Sequence, residues 1–288
     1  MRDIHSISEL CEALGVSRSG YHAARNRPSG TRACENLELL IQMRTIHAHR
    51  HTRCYGSPRM THTLNAMGLP CSENRVARLM RSVGLRARPR RPFRPRTTRT
   101  DNRACPSPNH LKDVGPPAGP GRQIVSDITY IPTGEGWLYL ATVMDLHSRR
   151  ILGWKLAQSM HADLVTGAIK ASLRTGLPRE GTLFHSDRGC QYTAAATRRL
   201  LARHGILQSM SAKGDCYDNA FAESLFATLK NELMPDGAPF DTKALARIAI
   251  FDYIETFYNR TRLHSALGYM SPDAFLKQHF ANQQTRLN

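Results

Sequence analysis

Residues 86–99, RARPRRPFRPRTTR, hold seven Arg, three Pro and no acid, and a segment of that kind cannot build a packed core. Each proline fixes φ and removes a backbone donor, while the like charges repel one another. The chain is therefore divided before any helix or strand is assigned. Residues 1–100 carry 19 Arg, no Lys and 6 acids, a net of +13, and residues 101–288 carry 21 Lys+Arg against 17 acids, a net of +4. A total of +17 over 288 residues is the footprint of a chain whose partner is a polyanion. Every basic residue of the segment is Arg, whose guanidinium fork matches phosphate geometry. It reads as a linker along DNA phosphates, with Arg88, Arg90, Arg91 and Arg94 as contacts; the plainer alternative is a solvated spacer.

Other classes are excluded by composition. With 41% hydrophobic and 22% charged residues the chain is neither disordered nor collagen-like. No run approaches the ~18 apolar residues of a membrane span, and Met1-Arg2-Asp3 leads into an amphipathic stretch rather than a signal-peptide core. A cytoplasmic protein on nucleoid DNA, with no membrane partner, is expected. The seven cysteines are spread without a C-x-x-C pair, as reduced thiols are.

Two basic helical units precede the linker. In Ser8–His22, apolar residues at 7, 10, 11 and 14 make one helix face, Gly15 supplies a turn, and Ser17 caps a second helix carrying Arg18. That is a helix-turn-helix pattern, or else an αα-hairpin that touches no DNA. Further on, Ser57-Pro58 starts a helix through Met60, Leu64 and Met67 that breaks at Gly68-Leu69-Pro70. A second helix from Ser72 turns Val76, Leu79 and Met80 inward and Arg75, Arg78 and Arg81 outward, ending at Gly84. His47, His49, His51 and Cys54 invite a zinc reading, but their spacing fits no standard finger. The expected organisation is helix-turn-helix 1–30, a second such unit 31–85, linker 86–117, catalytic core 118–280 and tail 281–288.

After the linker the texture changes to strands. Residues 123–131 and 137–145, joined by Thr133-Gly134-Glu135-Gly136, read as a hairpin, and 150–156 as a third strand. Helix 161–173, strand 182–186, helix 192–204, strand 206–210 and helix 218–233 follow. This order implies an α/β domain, a mixed sheet flanked by helices.

Three acids sit where that sheet would gather them. Asp127 lies in the first strand, and Asp187 follows Leu183-Phe184-His185-Ser186 at the C-terminal edge, where α/β sites form. Glu223 lies on the last helix, sharing a face with Asn219 and Lys230, while Phe221, Leu225 and Leu229 are expected to pack inward. Taken singly, each acid reads better as an edge, turn or helix-surface residue. Together, like charges need cations, and an oxygen-only donor set suits magnesium or manganese. Two Mg2+ ions ~4 Å apart would activate one oxygen of a phosphodiester transfer and stabilise the other. Asp145 is a fourth acid, read as a turn residue satisfied by nearby backbone. Lys213 and Lys230 are candidates to hold phosphates and His264 to approach a DNA end, each against a plainer surface or packing reading; the functional role is favoured for Lys230 alone, which shares a helix face with Glu223.

Thirty-five residues separate Asp187 from Glu223. With the words Ser126-Asp127-Ile128-Thr129-Tyr130-Ile131, His185-Ser186-Asp187-Arg188-Gly189-Cys190-Gln191-Tyr192, Lys213-Gly214-Asp215-Cys216-Tyr217-Asp218-Asn219-Ala220 and the run from Tyr258-Asn259-Arg260 to Ser271-Pro272, the chain resembles second-reading-frame transposases of the insertion-sequence-three family, whose core is similar to retroviral integrase. The resemblance spans nearly the whole chain. It implies a ribonuclease-H-like fold with Asp127, Asp187 and Glu223 as metal-binding catalytic triad, cleaving at element ends and joining the freed 3′-hydroxyl to another strand. It also implies terminal inverted repeats and target duplex as DNA partners, a first-reading-frame partner or fusion, and a homo-oligomer on DNA. Gln123-Ile124 stand where tryptophan is frequent in that family, and Arg188 where glutamine is; neither change removes a triad ligand. A ribonuclease-H-type nuclease and an inactive, purely DNA-binding copy are the alternatives.

If residues 86–99 hold phosphates, deleting them flattens the fall of DNA affinity with salt, each lost contact contributing about 0.9 to the log–log slope. Affinity measured over a salt series checks this, and an unchanged slope assigns the segment to spacing alone.

Overall fold

The computed structural model describes residues 5–26, 30–87, 107–112, 114–211, 220–234 and 237–287. Arg88, Arg90, Arg91, Arg94 and Lys213 lie outside the described residues.

The first helical pair forms as its caps dictate. α1 (Ile7–Ala13) opens on a reciprocal capping box, Glu9 N donating to Ser6 Oγ at 3.3 Å and Ser6 N to Glu9 Oε2 at 2.8 Å. Gly15 takes φ 64, and Ser17 Oγ accepts from Gly20 N at 3.0 Å to start α2 (Arg18–Asn26). The expected apolar face is not covered, however. Of α1 only Cys11 is buried, Leu14 is 75% exposed, and α2 buries nothing.

The second unit has three helices. α4 (Ser57–Ala66) and α5 (Glu73–Ser82) were expected, whereas α3 (Thr31–Ala48) was not read from the sequence. Its apolar residues point to several sides: Leu39 and Met43 are buried, but Leu37 and Ile41 are exposed, so no clean stripe marks it. Leu39 and Met43 pack on Met60, Leu64, Val76, Leu79 and Met80. Arg75 corrects the outward reading, since Nε donates to Asn36 Oδ1 at 2.9 Å and Nη2 to Glu35 Oε2 at 2.8 Å, clamping α5 to α3. Arg18, Arg78 and Arg81 are exposed.

The sheet has order β3-β2-β1-β4-β5. β1 (Gln123–Thr133), β2 (Gly136–Asp145) and β3 (Ile151–Ala157) form an antiparallel meander, and β4 (Leu183–Ser186) and β5 (Leu207–Met210) add in parallel. Parallel strands need crossovers, supplied by α6 (Ala162–Leu173) and by α7 (Cys190–Thr193) with α8 (Ala195–Arg203). A single helix was expected over 192–204; Ala194, at ψ 139, breaks it in two. Gly153 is required on β3, because a Cβ there would stand 2.3 Å from both Ala168 O and Ser172 N of α6.

Period-2 alternation along β1 gives each sheet face its own core. Ile124 joins Ala141, Val143, Leu164, Ile169 and Leu201 on the α6 and α8 side. Val125 joins Leu140, Met144 and the buried stripes of α9 (Ala220–Leu233) and α10 (Lys243–Asp252) on the other. A π-helix, Tyr253–Tyr258, continues α10, and α11 (Pro272–Leu287) extends through the segment read as a tail.

Two polar devices tie this face down. Glu232 on α9 is 3% exposed and receives Arg262 through Nε at 2.9 Å and Nη2 at 2.8 Å, with the Tyr253 hydroxyl donating at 2.6 Å. Asn259 accepts from Ile151 N and donates to Ile151 O, both at 3.0 Å, satisfying the start of β3. The second unit docks here as well. Cys54 and Tyr55 belong to this core, Arg59 Nε donates to Leu263 O at 3.0 Å, and His51 Nε2 lies 2.8 Å from Asp252 Oδ2. His51 and Cys54 thus serve the junction; among the described residues no group of three or more His, Cys, Asp or Glu could hold a metal ion.

Replacing Arg262 by Met leaves the buried Glu232 carboxylate without its main partner and costs about 3–5 kcal/mol of stability. Urea denaturation checks this, and the Glu232→Met/Arg262→Met pair recovers a substantial part of the loss.

Candidate active site

The parallel ladder of β1 and β4 pairs Gln123 with Leu183, Ile124 with Phe184 and Val125 with His185. Continued two steps beyond its last pair, the same register leads to Asp127 on β1 and to Asp187, one residue past the end of β4. By strand alternation Asp127 faces the α9 side of the sheet. Each carboxylate has one oxygen fixed by backbone, Asp127 Oδ1 accepting from Ile128 N at 2.8 Å and Asp187 Oδ1 from Gly189 N at 3.0 Å.

Tyr192 of α7 marks where the two converge. Its hydroxyl lies 3.1 Å from Ser126 Oγ, burial pushes its phenol well above the ordinary range, and the charges of Asp127 and Asp187 push it further in the same direction. From the other side α9 brings Lys230. Burial lowers its ammonium pKa while the negative charge of Asp127 opposes that shift. Asp127, Asp187, Tyr192 and Lys230 therefore form one electrostatic neighbourhood at the C-terminal edge of the sheet.

Glu223 is on α9 but exposed, and no three-acid group closes among the described residues. It shares the Lys230 side of the helix, seven residues toward the N-terminus, about 10 Å along the axis. Carboxylate oxygens from neighbouring strands are a hard donor set that fits a hard divalent cation. Asp145 does not contribute to it. Its Oδ1 accepts from Gly121 N at 2.9 Å and its Oδ2 from Ser148 N at 2.9 Å and Ser148 Oγ at 2.6 Å, as the turn reading expected.

One expectation near α9 is revised and one reading is met. Phe221 does not pack inward; it is 42% exposed and carries the Arg149 guanidinium 4.0 Å from its ring centroid. His264 is a packing residue, its ring against Tyr258 and 3.2 Å from Arg262 Nη1. Burial pushes its pKa down to about 2, reinforced by Arg262, Arg59 and Arg149. Tyr192 and Glu232 carried signals that the sequence reading passed over. Tyr192 closes the Asp187 motif, and Glu232 interrupts the apolar i, i+4, i+7 stripe of Leu225 and Leu229, a place where an acid needs a buried partner.

Models described as "Integrase core domain" match residues 117–216 and 204–272, and one described as "HTH-like domain" matches 35–93, the α3–α5 unit. The sheet order, the two aspartates and these matches define a DNA strand-transferring enzyme with an integrase-type DDE core behind a helix-turn-helix-like unit. The chain is 39% identical over 278 residues, 96% of each chain, to "Transposase InsF for insertion sequence IS3A" of Escherichia coli (strain K12). It is 39% identical over 273 residues, 94% of this chain and 98% of the other, to "Insertion element IS600 uncharacterized 31 kDa protein" of Shigella sonnei. It belongs to the insertion-sequence-three family of transposases, whose DDE chemistry depends on divalent metal ions. Among solved structures it is similar to a simian T-cell lymphotropic virus intasome chain (TM-score 0.46, 10% identity, covering 75% of this chain and 70% of that one). It is also similar to the catalytic core domain of BIV integrase (TM-score 0.40, 16% identity, covering 57% and 99%).

The depressed His264 pKa has a stability consequence. Because the folded value of about 2 lies below the ordinary 6.5, the contribution is complete above pH 6.5 and is lost as pH falls below it. His264→Asn removes a slope of up to about 1.4 kcal/mol per pH unit from the acid side of the wild-type curve. Urea titrations of both proteins through mildly acidic pH measure the difference.

Proposed function

We propose that Asp127, Asp187 and Glu223 are the catalytic triad of this transposase and that its ion is Mg2+, with Mn2+ as substitute. The observation that supports this best is the placement of Asp127 on β1 and Asp187 just past the end of its parallel neighbour β4, with both charges acting on Tyr192 and Lys230 set beside Asp127. Two divalent ions, when bound, supply activation of the attacking oxygen and stabilisation of the leaving oxygen. Asp127 and Asp187 would hold them through carboxylates whose orientation the Ile128 and Gly189 amides fix. Glu223 joins when DNA engages the N-terminal turns of α9. Lys230 takes a strand phosphate beside Asp127 and so orients the scissile bond.

The substrates are the element's terminal inverted repeats and target duplex, bound as a homo-oligomer with the first-reading-frame partner or as its fusion. Arg18 and Arg78, on exposed helical faces, hold phosphates together with Arg88, Arg90, Arg91, Arg94 and Lys213. Arg75 assists by fixing α5 against α3.

Asp127→Ala, Asp187→Ala and Glu223→Ala each lower strand cleavage and joining at least about a thousandfold, non-additively, while DNA binding is retained. The assay uses duplex carrying the element's ends, the first-frame partner, and Mg2+, Mn2+ or Ca2+. Calcium fails to support the reaction, because its longer and looser coordination fits the transition state poorly. Near-normal joining by a folded Glu223→Ala protein overturns the triad. Preferential cleavage of RNA–DNA hybrid marks a nuclease instead.

A further inference from the structure

α9 has two flanks beside its buried stripe. One carries Glu223 and Lys230; the other, through Phe221, Ser224 and Thr228, walls a cleft of about 230 Å³ against Arg59, Arg149, Arg262 and His264. The positive charge of this cleft is not balanced. Arg262 spends its guanidinium on Glu232, Arg59 lies 3.9 Å from the same carboxylate, and the charge of Asp145 acts on Arg149, so two acids face three guanidinium groups. His264 adds no charge, since the surrounding cations and its burial keep it neutral at ordinary pH.

Arg149 is the least satisfied of the three. Its Nη1 is buried with no hydrogen-bond partner, and both oxygens of the nearest acid, Asp145, are already engaged. Its backbone sits at φ 60, the left-handed region that an arginine adopts only at a cost, held there in part by the Tyr258 hydroxyl donating to Arg149 O at 3.2 Å. A strained backbone thus holds at the cleft a guanidinium whose buried Nη1 still lacks an acceptor, a donor that an anion entering the cleft can satisfy.

Phe221 narrows the class of anion. Its ring packs under that guanidinium yet keeps 42% of its surface exposed at the cleft. A cation fork joined to an accessible aromatic face suits a phosphate that brings a planar base with it. The volume is below the roughly 300 Å³ at which pockets begin to enclose a whole small ligand, so one nucleotide fits in part and a duplex, whose base faces are covered by stacking, does not.

We infer that this cleft holds a single nucleotide of an unpaired DNA strand, its phosphate on Arg149 and its base on Phe221. This rests on the reading of DNA as substrate and extends it. The strand processed on the Glu223 flank crosses the N-terminal end of α9, and an unpaired nucleotide a short distance along is held on the opposite flank. Neither Arg149 nor Phe221 takes part in the chemistry; both are positioning residues for the strand.

Fluorescence anisotropy of the full chain with a short labelled oligo-deoxythymidine, and with a duplex of equal length, in the absence of divalent ions, tests the site. Phe221→Ala, at an exposed position that leaves the core intact, weakens single-strand binding about tenfold and leaves duplex binding within about twofold. Arg149→Gln lowers the single-strand log–log salt slope by about 0.7, and Arg149→Lys restores the slope. Single-strand affinity and slope unchanged in both Phe221→Ala and Arg149→Gln overturn the site, as does an equal loss for strand and duplex. Cleavage by Asp127→Ala, read apart from single-strand binding, tests the triad alone. If it retained cleavage while Phe221→Ala lost single-strand binding, the triad would fall and the cleft would stand; if it were inert while Phe221→Ala bound normally, the cleft alone would fall.

Discussion

The parallel pairing of β1 with β4 is the constraint on which the rest of the core depends. It is short, three paired residues on β1, yet its register leads to Asp127 and to Asp187 just past the end of β4. The side-chain period of a strand is two, so a slip of one residue would turn Asp127 to the α6 face and bury it among Ile124, Phe184 and Leu164. The register is held from both faces at once, because Ile124 and Val125 are each buried in separate cores that accept only apolar side chains. Two hydrophobic clusters thus fix the position of two carboxylates that neither of them contains.

α9 translates that register into a site. Its buried stripe is anchored at the C-terminal end by the Glu232–Arg262 pair, whose desolvation is tolerable because the guanidinium engages both carboxylate oxygens and Tyr253 donates as well. Anchoring that end leaves Lys230 close to Asp127 and Glu223, itself exposed, two turns away. The same pair brings the 258–266 segment against α9, so one buried ion pair organises both flanks of the helix. The α3–α5 unit closes on this assembly through Tyr55, Arg59 and His51, which makes the helix-turn-helix-like unit part of the core's packing rather than a bead on a string.

Much of this was legible in the sequence. Strands β1 to β5 and α6 follow their expected spans closely, because alternation and turn residues are local signals. α3 escaped because its apolar residues surround the helix, and it is a helix by virtue of what Leu39 and Met43 find on α4 and α5. Phe221 was misplaced for a related reason. The 3.6 period predicts which residues share a face, but not where the edge of the covered surface falls, and Phe221 lies just beyond it. Arg75 looked outward on the same pattern, and only the proximity of Glu35 and Asn36 on another helix shows that it is already occupied.

Motif spacing and period are properties of the chain alone, and they carry the family, the division at the arginine-rich segment and the α/β order of the core, and nominate three acids. Which charges meet is settled by the fold. The approach of Lys230 to Asp127, the capture of Glu232 by Arg262 thirty residues away, and the cleft that leaves Arg149 Nη1 without an acceptor all depend on distances between elements remote in sequence. Electrostatic energies vary with those distances and with burial, neither of which a linear pattern encodes.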